Sequence, residues 1–262
     1  MANEITKGIV DKADGVLVEV YKDAASPLIK PIGEILGFLP RTLKLALSGW
    51  EKWLINGKET IKLTAETVKE KIKAVPEEKL VEPEPYVAIP AMQQLSYCVN
   101  NEELRELYAN LLVSSMNADK KWQVHPAFVD IIKQLTPDEA KFVRNLSPNV
   151  SQNNALIYAR LENEKTGSGR TIISNFTNVG LDEVDLPENI CSYIDNLERL
   201  KLIQIPPTKA LANKDMYQPL INHPLMVNSL PKDIPDGFKI RYEYKVFCLT
   251  NFGVDFIKIC CN

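Results

Sequence analysis

The chain has 262 residues, 45% hydrophobic and 25% charged, a balance that fits a globular protein with a sizeable core. Its formal net charge of −3 and pI near 5.6 argue against a protein that coats nucleic acid, which needs a basic face, and leave room only for a local basic patch. The opening Met1-Ala2-Asn3-Glu4-Ile5-Thr6-Lys7 has neither a basic nor an apolar leader region, so no secretory signal is expected and the cytoplasm is the default compartment.

The first part reads as helices punctuated by proline. Residues 4–24 carry Ile5, Ile9, Val16 and Val20 at helical intervals and end at Ser26-Pro27. Ile32, Ile35, Leu36 and Leu39 then share a face that Pro40 closes, and Leu43, Leu47, Trp50 and Leu54 mark a helix ended by Asn56-Gly57. A further stripe of Ile61, Ala65, Val68, Ile72 and Val75 backs onto Lys58, Glu59, Lys62, Glu66, Lys69, Glu70 and Lys73, whose opposite charges support a wet outer face. These residues, 1–75, are expected to form an N-terminal helical bundle. Between 76 and 90, Pro76, Pro83, Pro85 and Pro90 interleave with Glu77, Glu78, Glu82 and Glu84, which predicts an extended connector.

Residues 91–146 form a central helical region. A helix around 91–99 leads to Asn100, which with Glu103 reads as a capping box ahead of Leu104, Leu107, Tyr108, Leu111, Leu112 and Ser115. Thr136-Pro137-Asp138-Glu139 is a stronger start: a hydroxyl cap, proline at the first helical position, and two acids where the helix dipole favours them. His125-Pro126 precedes a helix through Phe128, Ile131, Ile132 and Leu135, so the histidine reads as a cap or turn residue rather than a catalytic base.

After residue 146 the period changes. Two short apolar runs, 155–160 and 171–176, flank Lys165-Thr166-Gly167-Ser168-Gly169 and predict a hairpin with a flexible tip. A helix through Ile190, Ile194, Leu197 and Leu200 follows, then a strand at 202–205, an irregular insertion over 206–239, a strand at 241–247, and a last helix carrying Phe256, Ile257 and Ile259. That order predicts a winged-helix-like module over 147–262. The whole chain is therefore expected to be mainly α: an N-terminal helical bundle followed by an α+β winged-helix-like C-terminal module.

Chemistry-bearing patterns are sparse. Cys98, Cys191, Cys248, Cys260 and Cys261 are odd in number and lack metal-type spacing, and only His125 and His223 could assist them, so reduced, buried thiols and no metal or cofactor are expected. Gly167-Ser168-Gly169 lacks the lysine and hydroxyl of a phosphate loop. The helix that would read DNA carries Glu188, Asp195 and Glu198 against Arg199, which disfavours nucleic acid as a partner and leaves a winged-helix regulator as an alternative only. The apolar segment 28–55 is broken by Lys30, Glu34, Arg41, Lys44 and two prolines within the about 20 residues a membrane span needs. Phe38, Leu39, Trp50 and Trp53 are instead candidates for a partner surface or peripheral membrane contact.

Two stretches carry a resemblance. Asn101-Glu102-Glu103-Leu104-Arg105-Glu106-Leu107-Tyr108-Ala109-Asn110-Leu111-Leu112, with Val124-His125-Pro126-Ala127-Phe128-Val129-Asp130 through Thr136-Pro137-Asp138-Glu139-Ala140, resembles the bacterial Abi-alpha family, named for abortive infection. Ser26-Pro27 with Ile32-Gly33-Glu34-Ile35-Leu36-Gly37, and Leu249-Thr250-Asn251-Phe252-Gly253-Val254-Asp255-Phe256, are similar to it as well. The resemblance implies a role in antiphage defence and no known reaction. Glu103, Arg105, Glu106, Tyr108, Asn110, His125, Pro126 and Asp138 are the signature residues, expected to be structural. The expected function is a non-enzymatic interaction or effector component with a protein partner or a second copy of itself. The alternative is a membrane-active effector working through its N-terminal amphipathic helices.

Overall fold

Pro85 and Pro90, expected in an extended connector, fall inside helix α1, Pro85–Leu95. Proline suits a first helical turn, whose amides have no intrahelical partner. Pro90 is more costly, because it offers no amide to the carbonyl of Tyr86. The helix persists because Val87, Ala88, Ala91, Met92 and Leu95 are buried. The computed structural model describes residues 67–95, 97–98 and 101–261. Most of the expected N-terminal bundle, and with it Phe38, Leu39, Trp50 and Trp53, lies outside the described residues.

Helix α2, Glu102–Ser115, starts from Asn101, whose side chain makes no capping bond. Asn100, expected to form a capping box with Glu103, lies outside the described residues; the Glu103 carboxylate reaches Arg144 at 3.0 Å. Helix α3 spans Ala127–Lys133 and α4 spans Pro137–Arg144. At α4 the capping box is complete: Glu139 N–H donates to Thr136 Oγ1 at 3.2 Å, and Thr136 N–H donates to Glu139 Oε2 at 2.7 Å.

The remainder builds one four-stranded antiparallel sheet in the order β2-β1-β4-β3, from β1 Asn154–Asn163, β2 Gly169–Phe176, β3 Ile203–Gln204 and β4 Phe238–Leu249. Helix α5, Ile190–Arg199, lies between β2 and β3 in sequence and packs on β2. This corrects the expectation of a mainly α chain with a winged-helix-like module. The centre of the sheet is the pair β1 and β4, in register from Asn154↔Phe247 to Asn163↔Phe238, with β2 on the outer side of β1. Strand alternation reports which face is buried but not which strand lies alongside, so pairing across 75 and more residues was invisible locally.

The stretch expected as an irregular insertion covers one side of this sheet. Tyr217, Leu220 and Met226, from a 3-10 turn and the short helices α6, Gln218–Ile221, and α7, Pro224–Ser229, are buried. The Tyr217 ring lies 4.6 Å from that of Tyr244 on β4, and its hydroxyl donates to the Lys245 carbonyl at 2.8 Å. The chain ends in α8, Asn251–Phe256, which continues as a π-helical turn over Ile257–Cys261 against α2. Gly253 is required there, because a Cβ would collide with the backbone carbonyl of Leu202. A single cluster of buried apolar side chains runs from Val68 to Cys260, joining the helices to the sheet. Each buried phenylalanine in it, Phe128, Phe142, Phe176, Phe247 and Phe256, contributes about 1.5–3 kcal/mol.

Candidate functional site

The signature residues converge on two seams. The first joins α4 to α5. Asp138, only 6% exposed, accepts the backbone N–H of Asp185 at 3.1 Å, that of Leu186 at 2.8 Å and the hydroxyl of Tyr193 at 2.9 Å. Burial pushes its carboxyl up, but those three donors and nearby Lys141 outweigh burial and hold it below the usual carboxylate range. Tyr193, by burial and then by donating to Asp138, is pushed up to about 12. Next to it, Asn196 donates to Glu139 Oε1 at 2.8 Å and to the Gln134 carbonyl at 3.0 Å, and Arg199 donates to Gln134 Oε1 at 2.9 Å. The two acids at the start of α4 thus hold a loop and a helix about 50 residues further along, beyond favouring the helix dipole.

The second seam joins α2 to the C-terminus. Asn110 donates to the Cys260 carbonyl at 2.9 Å and Ser114 to that of Ile259 at 3.0 Å, so α2 supplies side-chain donors to carbonyls of the π-helical turn. Tyr108 donates to the Val129 carbonyl at 3.1 Å in α3, and burial pushes its hydroxyl well up. Glu106 pairs with Lys71 at 2.6 Å and Glu103 with Arg144. Arg105 sits on the same helix, near enough to the buried Cys98 thiol to oppose its upward shift. His125 caps α3: its Nδ1 accepts the Ala127 N–H at 3.1 Å, and its ring meets Phe252 edge-on at 5.4 Å. Pro126 follows it as the N-cap residue of α3. His223 acts alike at α7, accepting the Leu225 N–H at 3.2 Å beside Phe176.

Sequence reasoning missed Tyr193, Asn196 and Ser114. Only pairing across the fold reveals them, since Tyr193 reads as one more apolar position of an amphipathic helix. Burial makes Cys191, Cys260 and Cys261 poor nucleophiles. Burial pushes Cys191 up to about 11, Cys261 up to about 12, and Cys260 well above its ordinary value. A small cleft of about 60 Å³ lies between β2, α5 and α7, lined by Ile173, Phe176, Cys191 and Leu225 with Glu188 and Ser229 at its rim. Among the described residues no three His, Cys, Asp or Glu side chains are placed to hold a metal, and no helix is long and apolar enough to cross a membrane.

What faces solvent is of another kind. Trp122, in a 3-10 turn, is 87% exposed, and Tyr86 and Tyr97 at the two ends of α1 are each 61% exposed. The signature seams and these aromatic residues are distinct sets. The model of a family described as abortive infection alpha matches residues 57–260. No curated protein and no solved structure matches the chain.

Proposed function

The chain belongs to the abortive infection alpha family, which implies abortive-infection-type defence, and from that premise we propose that it acts there through contacts and carries out no bond-making step of its own. The observation that carries this reading is where the signature's polar groups point. Asp138, Asn110 and Tyr108 engage backbone N–H or carbonyl groups of other segments, His125 accepts the Ala127 amide at the start of its own helix, and Glu139 engages the Thr136 amide and the Asn196 side chain. A catalytic acid or base needs a proton-accepting site open to substrate. Asp138, Glu139 and the His125 Nδ1 already accept hydrogen bonds within the fold, which supports the contact reading. Contact energy would come from apolar and aromatic side chains, with Phe38, Leu39, Trp50 and Trp53 as the leading surface and a protein partner or a second copy as its target.

The test is a phage challenge of bacteria expressing the full chain. Trp50→Glu with Trp53→Glu is expected to abolish protection while the purified variant keeps its melting temperature. His125→Ala and His223→Ala, each removing one of only two imidazoles, are expected to keep protection in proportion to folded protein. Loss of protection in a histidine variant of unchanged stability points to a reaction and overturns the proposal. Membrane leakage on induction, abolished by the tryptophan pair, replaces a protein target with a bilayer.

A further inference from the structure

From Pro85 to Asn101 the chain has no charged residue, although Pro85, Tyr86, Gln93 and Tyr97 are exposed. Helix α1 buries Val87, Ala88, Ala91, Met92 and Leu95 and turns Tyr86, Ile89, Pro90 and Gln93 away from the core, with Tyr97 just beyond its end. Tyr86 and Tyr97 are exposed, and Ile89 and Pro90 are half-buried. A surface helix ordinarily sets charge on its outer side, and a helix apolar all round is one that is covered.

We propose that this uncharged outer face of α1 is a docking surface for residues 28–55 of the same chain. The first argument is where the preceding chain arrives. Val68 is buried in the common core, and Lys71 is tied to Glu106 on α2, the helix against which α1 packs. The segment leading into residue 67 therefore enters at the α1-α2 side. The tether 56–66 reaches about 16 Å if helical and about 36 Å if extended, and α1 itself is about 16 Å long. In either case residues 28–55 can reach the face. A tethered segment is present at an effective concentration in the millimolar range, well above a second copy in the cell.

The second argument is charge. The connector at the start of α1 presents exposed Glu77, Glu78 and Glu82. Residues 28–55 combine Phe38, Leu39, Trp50, Trp53 and Leu54 with an excess of base, Lys30, Arg41, Lys44 and Lys52 over Glu34 and Glu51. Their aromatic residues suit the neutral face and their charges suit the acidic shoulder. If the aromatic segment is the contact surface proposed above, docking on α1 keeps it covered until a trigger releases it. The docking stands or falls without that reading.

The full chain tests it directly. The photo-crosslinker p-benzoylphenylalanine replaces Tyr86 or Tyr97, the purified protein is irradiated, and adducts are mapped by mass spectrometry. Adducts are expected in peptides from 28–55 at the mass of a single chain. Adducts at twice that mass, or transfer to phospholipid from added phosphatidylglycerol vesicles in preference to 28–55, overturn the proposal. A second measurement uses the Trp122→Phe background, which leaves Trp50 and Trp53 as the remaining tryptophans. Adding Tyr86→Glu and Tyr97→Glu should red-shift their emission and raise quenching by acrylamide, with helical circular dichroism unchanged. Unaltered emission also overturns it. Neither readout depends on phage protection, so failure here and failure of the defence reading are separable.

Discussion

The α4-α5 seam and the outer face of α1 are built on opposite principles. At the seam, polar side chains are buried and each meets a partner: Asp138 has three donors, and Glu139 and Asn196 hold one another. On α1, the outward side chains are neutral, aromatic or apolar, and wet. A buried carboxylate fixes one geometry, because leaving its donors or its charge without a partner is costly. An apolar face fixes no geometry and gains from whatever covers it. The residues that look most chemical are thus the ones most committed to architecture, and the bland helix is the one that carries an uncharged outer side.

That contrast can be broken by mutation. Asp138→Ala should have the largest effect, about 3–4 kcal/mol, because it strands two backbone amides and the Tyr193 hydroxyl; at about 2–4 °C per kcal/mol for a chain this long, thermal melting should show it. Melting unchanged within a degree would mean the seam is not structural. Gly253→Ala should cost about 2–3 kcal/mol, since the methyl group meets the Leu202 backbone rather than a movable side chain. Asn110→Ala should cost about 1–2 kcal/mol in urea unfolding, with faster hydrogen exchange confined to the C-terminal turn that it holds. Trp122→Ala, removing the most exposed aromatic residue, should stay within about 0.5 kcal/mol; a larger loss would place that side chain in a packed interface.

Acidity gives a further comparison. Asp138 is held below its ordinary value in the folded chain, so the unfolded chain binds more protons at low pH. Its contribution is fully present above the unfolded carboxylate value of about 3.9 and is lost as pH falls through the lower folded value. Chemical denaturation between pH 6 and pH 3 should show a steeper fall for the native sequence than for Asp138→Asn. Parallel curves would remove Asp138 as a source of acid sensitivity. The uncharged face of α1 should add nothing to this slope, so Tyr86→Phe should leave it unaltered.

Local chemistry was legible where it is local. Thr136-Pro137-Asp138-Glu139 reads as a helix start and forms one, and the Gly-rich tip between two apolar runs marks the β1-β2 hairpin. Glu103 pairs with Arg144 on a neighbouring helix, a contact between residues 41 apart that no local spacing announces. Pro85 and Pro90 suggested extended backbone, and burial of the inner face of α1 outweighed the lost hydrogen bond. The long stretch before β4 gave no periodic signal, since Tyr217, Leu220 and Met226 reach the sheet from separate short turns.

By itself the amino-acid sequence determined the family, the capped helices, the hairpin and the absence of charge along α1, all properties of neighbours within a few residues. Tertiary structure alone decided that β4 lies beside β1, that α2 closes the C-terminal turn, and that Asp138 clasps a loop and Tyr193. The physical reason is that hydrophobic period and capping act over a turn or two of chain. Strand partners and buried hydrogen bonds are chosen by which distant groups the packed core brings within about 3 Å.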